Sequence, residues 1–491
     1  MLRRKFVQTA AAGIPLILAA GVAPAIARDR SPNSKINIAV AGLRGIGKSH
    51  LSSYLRQSAD VRVAAICDCD TEPLGEVAKY LDGKGVAAKS YRDIRRLFED
   101  KNVDAVSICL PNYWHALATI WGCQAGKHIC VEKPVSHSIW EGRQMVAAAR
   151  KYKRLVQADI DSRSNPGLGP AIAYAQEHLG RPIYASIVGY KRRHSIGLSR
   201  GPGRIPPTCD YDLHSGPLPA TPLPRKELHY DWHWQWLSGN GELGNNGPHQ
   251  LDICRRALGK NTAPARVISL GGRFGYLDDG NVPNTQIVWY DYDGVPVVFE
   301  SRALGRKPGV NIMDSLTGVT ATGKVVSHPT SGTSNCNLCV FFERGYLCGN
   351  SIFDNDGAPV KGFPGRSASQ RAFVEALKTG KQEDLRCDIL DGHISANISH
   401  IGNISHQTGE HVGLDAARRK VKSFPYLERV FAGMEKHLAT HGISLEKEGL
   451  CLGRELTFDS TAERFTGTHG DFANLFLRDT YRPPFTVPEN V

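Results

Sequence analysis

Several short stretches of this 491-residue sequence carry side chains that could do chemistry. The first is Gly42-Leu43-Arg44-Gly45-Ile46-Gly47, a glycine-rich turn between the apolar run INIAVAG and the helical pattern KSHLSSYLRQ. Backbone N–H groups at such a turn, with the positive end of the helix behind it, hold the pyrophosphate of a dinucleotide. The spacing departs from G-x-G-x-x-G because Arg44 stands where the second glycine would be. That side chain either obstructs close approach to the backbone or reaches over the pyrophosphate or the adenosine ribose. The second stretch ends in Asp68, whose carboxylate can accept both hydroxyls of a ribose and repels a 2′-phosphate. NAD is therefore favoured over NADP, with Arg44 and Lys48 as the local cations that count the other way. In CLPNYWHA, Leu110, Pro111 and Asn112 break an apolar run, and His115 follows one turn into a helix. In CVEKPV a buried-looking strand runs directly into Glu132, Lys133 and a proline.

These residues lie at the ends of four nearly all-apolar runs, INIAVAG, VRVAAICD, VDAVSICLP and HICVEKP. Between Lys35 and Lys153 the runs alternate with helical segments, the pattern of βαβ units around a parallel sheet covered on both faces. Strand carboxyl ends at the switch point of such a sheet form a ligand crevice. The second half alternates polar and apolar residues in PIYASIVGYKRR, ARVISLGGRFGY and NTQIVWYDYDGVPVVFESRA, which predicts an antiparallel sheet with one face covered. The fold class is thus α/β, a doubly wound domain followed by an α/β domain. A long Gly- and Pro-rich connection ends in YDWHWQW and reads as a wall over the crevice. Trp232 and Trp234 present flat faces for a sugar ring or pack as core, with alternate members expected to face opposite ways. In GELGNNGPHQLDICRRAL, Asn245 and His249 are four apart and share a helix face, and Asp252 follows one turn on. His393, His400 and His406 lie amid small residues in a helical segment, where a metal site or core packing is open.

The formal charge of +12 is spread, without a long basic run carrying interleaved aromatics, which argues against nucleic acid. LRRKFVQ followed by IPLILAAGVAPAIA has the form of a twin-arginine export signal over residues 1–27 and is too short and Gly/Pro-rich to span a bilayer. Periplasmic export and a tightly held cofactor are the expectations, with no integral membrane span. Most cysteines, among them Cys67, Cys109 and Cys130, sit singly in apolar runs and read as core. Cys336 and Cys339, with Cys348 beyond them, could form a disulfide or metal site or simply lie on adjacent strands.

Together, GLRGIG, ICDCD, YRDIRRLFEDKNVDAVSICLPNYWHA, AGKHICVEKP, GNGELGNNGPHQLD and YRPPFTVPENV resemble the Gfo/Idh/MocA oxidoreductases, the glucose–fructose oxidoreductase and inositol dehydrogenase family, in a bacterial branch with export signals and a C-terminal extension. The resemblance implies a Rossmann domain over residues 35–155, a substrate and oligomerisation domain with an open, mostly antiparallel sheet over 156–410 and an extension over 411–491. It implies that Lys133 reaches in beside the nicotinamide and that His249 is the acid/base, with Asn245 where the family carries an aspartate. The glycine loop, Asp68, the 110–112 turn, His115 and Glu132 would face the cofactor. Lys133, Trp232, Trp234, Asn245 and His249 would face a sugar, cyclitol or glycoside. A homodimer or tetramer built through the second sheet is also implied. Two other readings stay open: a glycosidase that oxidises its sugar transiently with bound NAD, and a binding protein that retains the fold.

Overall fold

The computed structural model describes residues 35–305, 317–327 and 336–491, and the signal expected at residues 1–27 lies outside them. Six strands, β1 (Ile36–Ala41), β2 (Val61–Cys67), β3 (Lys89–Tyr91), β4 (Ala105–Ile108), β5 (His128–Glu132) and β6 (Val156–Asp159), form a parallel sheet in the order β3-β2-β1-β4-β5-β6. Their apolar runs follow from cover on both faces. Ile38, Val40 and Ile66 pack on Leu51 and Tyr54 of the helix Ile46–Leu55. Ala39, Ala41, Val106 and Ile108 pack on Leu117 and Ile120 of the helix Asn112–Gln124. The sheet extends past residue 155, the end that the resemblance implies for this domain, because β6 pairs with β5. Half of that strand is polar, VQAD, and its apolar signal is correspondingly short. The strand order reverses between β1 and β4, which opens a crevice beyond the carboxyl ends.

A second sheet has twelve strands. They are β7 (Pro182–Tyr190), β8 (Arg266–Gly272), β9 (Thr285–Tyr292), β10 (Val295–Arg302), β13 (Cys336–Phe342), β14 (Gly345–Cys348), β15 (Ser351–Phe353), β16 (Pro359–Gly362), β17 (Glu410–Val412), β18 (Leu450–Leu452), β19 (Leu456–Asp459) and β20 (Arg464–Thr466). Among the described residues, the short β11 (Thr317–Val319) and β12 (Val325–Ser327) pair only with each other. Only the β7–β10 pair is parallel among the described strands of the large sheet.

On one face Val267, Val288, Val297 and Phe299 pack against Leu243, Leu251, Ile398 and Ile401, carried by the helices Gly241–Ala257 and Ile389–Gln407. Ile268, Leu270, Trp289 and Val298 face the other way, onto Leu414, Phe431, Met434 and Leu438 of the helices Leu414–Val421 and Leu427–Thr440. The chain thus covers with its own helices, over β8–β10, sheet surface to which the resemblance assigns subunit pairing. Residues 411–491 are not a separate appendage: they add β18, β19 and β20 to the sheet and then return to the first domain, where Phe485 meets Trp114 edge-on at 5.5 Å.

His393, His400 and His406 are buried along the helix Ile389–Gln407, and none belongs to a metal-like cluster among the described residues. His393 is instead 2.6 Å from the Glu463 carboxylate. Cys339 and Cys348 are directly opposite each other across β13–β14 as free thiols, while the Cys336 side chain lies outside the described ones. No helix among the described residues is long and apolar enough to cross a membrane.

Candidate active site

The crevice holds a cavity of about 830 Å³ lined by residues of both sheets' domains and of the long connection. At its nucleotide end, the chain leaves β1 through Gly42 at φ +89°, and a Cβ there would lie 2.3 Å from the Cys109 carbonyl oxygen. Only glycine satisfies both conditions. Gly47 does not line the cavity, in contrast to its expected cofactor contact. It lies beneath the loop, where a Cβ would approach the Gly42 carbonyl oxygen to 1.8 Å. Gly45 has open space where its Cβ would be, and the helix that starts at Ile46 has no side-chain cap. Gly45 and Ile46 both line the cavity, so uncapped first-turn amides are available to a phosphate.

Arg44 does not reach over the loop. Its Nη2 donates to Asp70 Oδ2 at 2.6 Å and Glu72 Oε2 at 2.7 Å, so the missing glycine is accommodated by turning the side chain toward the next loop. Asp68 sits between these elements: Oδ2 accepts from the Leu43 N–H at 2.8 Å and Oδ1 from the Asp70 N–H at 3.0 Å. Each oxygen keeps a second lone pair for a ligand hydroxyl. With Asp70 and Glu72 neutralising Arg44, and Lys48 paired to Glu76, the charge at this end opposes a 2′-phosphate. The loop, the uncapped helix and Asp68 together fit a dinucleotide of the NAD type.

At the other end, Lys133 leaves β5 through a cis peptide bond to Pro134. Its Nζ donates to the Asn245 backbone oxygen at 2.8 Å and to Asn245 Oδ1 at 3.0 Å. Asn245 and His249 present one face of the helix Gly241–Ala257 to the same cavity as Lys133. Desolvation, followed by the Lys133 charge, lowers the His249 pKa to about 4, so the imidazole is neutral and ready to accept a proton at neutral pH. Asp252 acts on it only through its charge, which works to raise the His249 pKa, because both its oxygens are held by Arg163 and it also accepts from Arg255 and Ser395.

Below Lys133, Glu132 Oε2 accepts from the Lys133 N–H at 3.2 Å and Oε1 lies 3.0 Å from His50 Nε2. His50 is also 2.8 Å from Asp159. Burial opposes the His50 charge, but the Cys109 thiol, Asp159 and Glu132 more than offset it and raise its pKa well above the ordinary value. His115 borders the cavity, yet both ring nitrogens lie 2.7 Å from backbone oxygens, of Pro134 and of Leu110. It ties the 110–112 turn to the segment carrying Lys133, a positioning role in place of the expected cofactor contact. Leu110, Pro111 and Asn112 line the cavity, and Asn112 also donates to Asn240 Oδ1 at 2.9 Å.

The aromatic wall is only partly as expected. Trp232 lines the cavity, but Trp234 is buried at 3 % exposure under the Arg193 guanidinium. Period-two alternation would send both indoles the same way; Asp231–Trp234 is instead a 3₁₀ turn, so they diverge. His233 stacks on Trp232 at 3.5 Å and joins it in the lining. Sequence reasoning also missed Asp161, Lys191 and Gln370, which arrive from three separate segments. Partial desolvation, with the Asp159 and Glu132 charges, lifts Asp161 to about 6. No local pattern marks any of the three.

Residues 36–160 match the Gfo/Idh/MocA family model for an oxidoreductase family with an NAD-binding Rossmann fold. A levoglucosan dehydrogenase of Pseudarthrobacter phenanthrenivorans is 24% identical over 243 residues, covering 48% of this chain and 54% of its own. A myo-inositol 2-dehydrogenase of Thermotoga maritima is 34% identical over 183 residues, covering 37% and 49%. The chain thus spans about half the length of these curated relatives. The fold as a whole is similar to that of the WlbA dehydrogenase from Bordetella pertussis, solved with NADH and UDP-GlcNAcA, at a TM-score of 0.54 and 15% identity over 75% of this chain and 95% of that one.

Proposed function

We propose that the chain, whose residues 36–160 match the Gfo/Idh/MocA family model for an NAD-binding Rossmann fold, is an NAD-dependent oxidoreductase acting on a secondary alcohol, or the matching ketone, of a sugar or cyclitol. The observation that carries this reading is that the Lys133 amine and the His249 imidazole line one cavity with the glycine loop and Asp68. When bound, the nicotinamide ring supplies the hydride acceptor or donor. The neutral His249 takes the proton of the reacting hydroxyl, and returns it in the reverse direction. Lys133, fixed by Asn245, places positive charge beside the oxygen and stabilises the developing alkoxide. Asn245 orients but cannot supply a negative charge to raise the basicity of His249. The face of Trp232 offers a stacking surface for a ring carrying several hydroxyls.

A sugar and cyclitol dehydrogenase among the partial relatives supports the substrate class. The test is a panel of sugars and polyols with purified protein and NAD, read by nicotinamide absorbance. Turnover of a polyol that disappears in H249A supports the reading; release of an aglycone without net cofactor change would replace it by the glycosidase reading.

Export by the twin-arginine route is part of the same reading, resting on LRRKFVQ and checked by cell fractionation of an R3K/R4K variant. So is self-association through the second sheet, which the helices Leu414–Val421 and Leu427–Thr440 confine to surface away from β8–β10, and which sedimentation velocity measures.

A further inference from the structure

The turn that follows Asp68 is fastened to the long connection by a second, thiol-containing contact. Asp70 and Cys209 form an antiparallel bridge, with the Thr71 N–H donating to the Thr208 oxygen at 3.0 Å and the Asp210 N–H to the Cys69 oxygen at 3.2 Å. Cys69 is one residue from that facing pair, its carbonyl is tied to the residue after Cys209, and its side chain packs against the cluster of Cys209, Leu223 and Leu228. Both thiols are free, and the neighbouring Cys209 thiol, with burial, holds the Cys69 thiol well above its ordinary pKa. Cys69 lines the cavity and can be reached through it, whereas Cys209 is 9 % exposed and packs on Leu223 and Leu228. The Cys209 sulfur, a His229 ring nitrogen and an Asp70 oxygen all lie within 4.8 Å of one another.

We propose that Cys69 and Cys209 form a reversible disulfide that clasps the long connection over the ribose end of the cavity. The oxidant is a small-molecule or protein disulfide. The Cys69 sulfur attacks one of its sulfurs and gives up its proton to the departing one, the S–S bond breaks, and the first thiol leaves. Cys209 passes its proton to His229, the neighbouring base, and attacks the Cys69 sulfur of the mixed disulfide, expelling the second thiol. Two cysteine thiols lose two protons and two electrons in all, and the external disulfide gains them as two thiols. A metal ion is the competing use of the same cluster. Asp70 counts against it: Oδ2 already accepts from Arg44 at 2.6 Å, so a guanidinium charge occupies the approach, and Oδ1 caps the next helix through the Glu72 N–H.

The clasp depends on the cavity being the dinucleotide site, but the disulfide does not, so the two fail separately. The full chain is incubated with oxidised glutathione, its thiols are counted after denaturation, and the linked peptides are mapped by mass spectrometry. The expected result is loss of two thiols per chain, a peptide joining Cys69 to Cys209, and reversal by dithiothreitol. Oxidised protein should also release NADH about tenfold more slowly, the kind of change that local ordering makes in an off-rate. C69S, at the more accessible position, keeps the fold and abolishes both effects. No thiol loss, or a link only between Cys339 and Cys348, overturns the proposal. So does one zinc per chain, measured on the purified protein and lost in C209S. A Cys69–Cys209 link that leaves NADH release unchanged overturns the clasp.

Discussion

Two regions of the molecule place a histidine among charged neighbours and obtain opposite results. In the cavity, His249 sits beside the Lys133 amine, and desolvation with that charge lowers its pKa to about 4. Four residues beyond Lys133, His137 Nδ1 is 2.9 Å from Asp479 Oδ2, and the His137 backbone N–H donates to Glu141 Oε2 at 2.7 Å. Burial opposes its charge there too, but the Asp479 and Glu141 carboxyls override it and raise His137 to about 9. Burial acts the same way at both sites, so the sign of the neighbouring charge decides the outcome. The first arrangement keeps a base available for chemistry. The second welds residues 479–487 to the first domain, with the Tyr481 hydroxyl donating to Glu141 Oε1 at 3.1 Å.

The largest expected break of this comparison is H249A, which should cost about 10²–10⁴ in kcat with the Kd for NAD unchanged. K133A should cost about 10²–10³ in kcat and, by removing the neighbouring charge, should move the His249 pKa upward; an NMR titration of the ring reads that shift. In the tail dock, F485A should destabilise by about 3–5 kcal/mol, measured by urea denaturation, while kcat per folded molecule stays level.

The two histidines should also separate on a pH axis. For turnover in the oxidative direction, the acid limb of kcat/KM should have its midpoint near 4, not near the ordinary histidine value, because His249 must be neutral. In the dock the folded-state pKa of His137 is raised, so its stabilisation is complete below about 6.5 and is lost as pH rises through about 9. Glu141, raised to about 8 by burial and by Asp479, loosens the dock in the same direction. Melting temperature should therefore fall between these values, and D479N should flatten the fall. The smallest effect is W232A, which should raise KM for the sugar about 3–10-fold, the worth of one aromatic contact.

The first domain was readable because every one of its functional positions follows a strand. Gly42, Asp68, Pro111 and Lys133 each terminate a nearly all-apolar run, so the order of the runs already places them on one edge. The cavity's other wall has no such grammar. Asp161, Lys191 and Gln370 come from three distant segments and meet only through tertiary packing. Trp234 was misread because a 3₁₀ turn rotates successive side chains by a third of a circle, a period that neither the strand nor the helix template carries. His115 looked like a ligand contact for the opposite reason. Its place beside a strand end is right, but two backbone oxygens claim its nitrogens.

Phe485, wedged against Trp114 and Trp121, gives biosynthesis of this molecule a fixed order. The domain that emerges first from the ribosome must wait, with part of its outer wall bare, until the second domain has been made and its final segment has come back around. A nascent chain stalled before Asp479 would thus expose two indoles to chaperones.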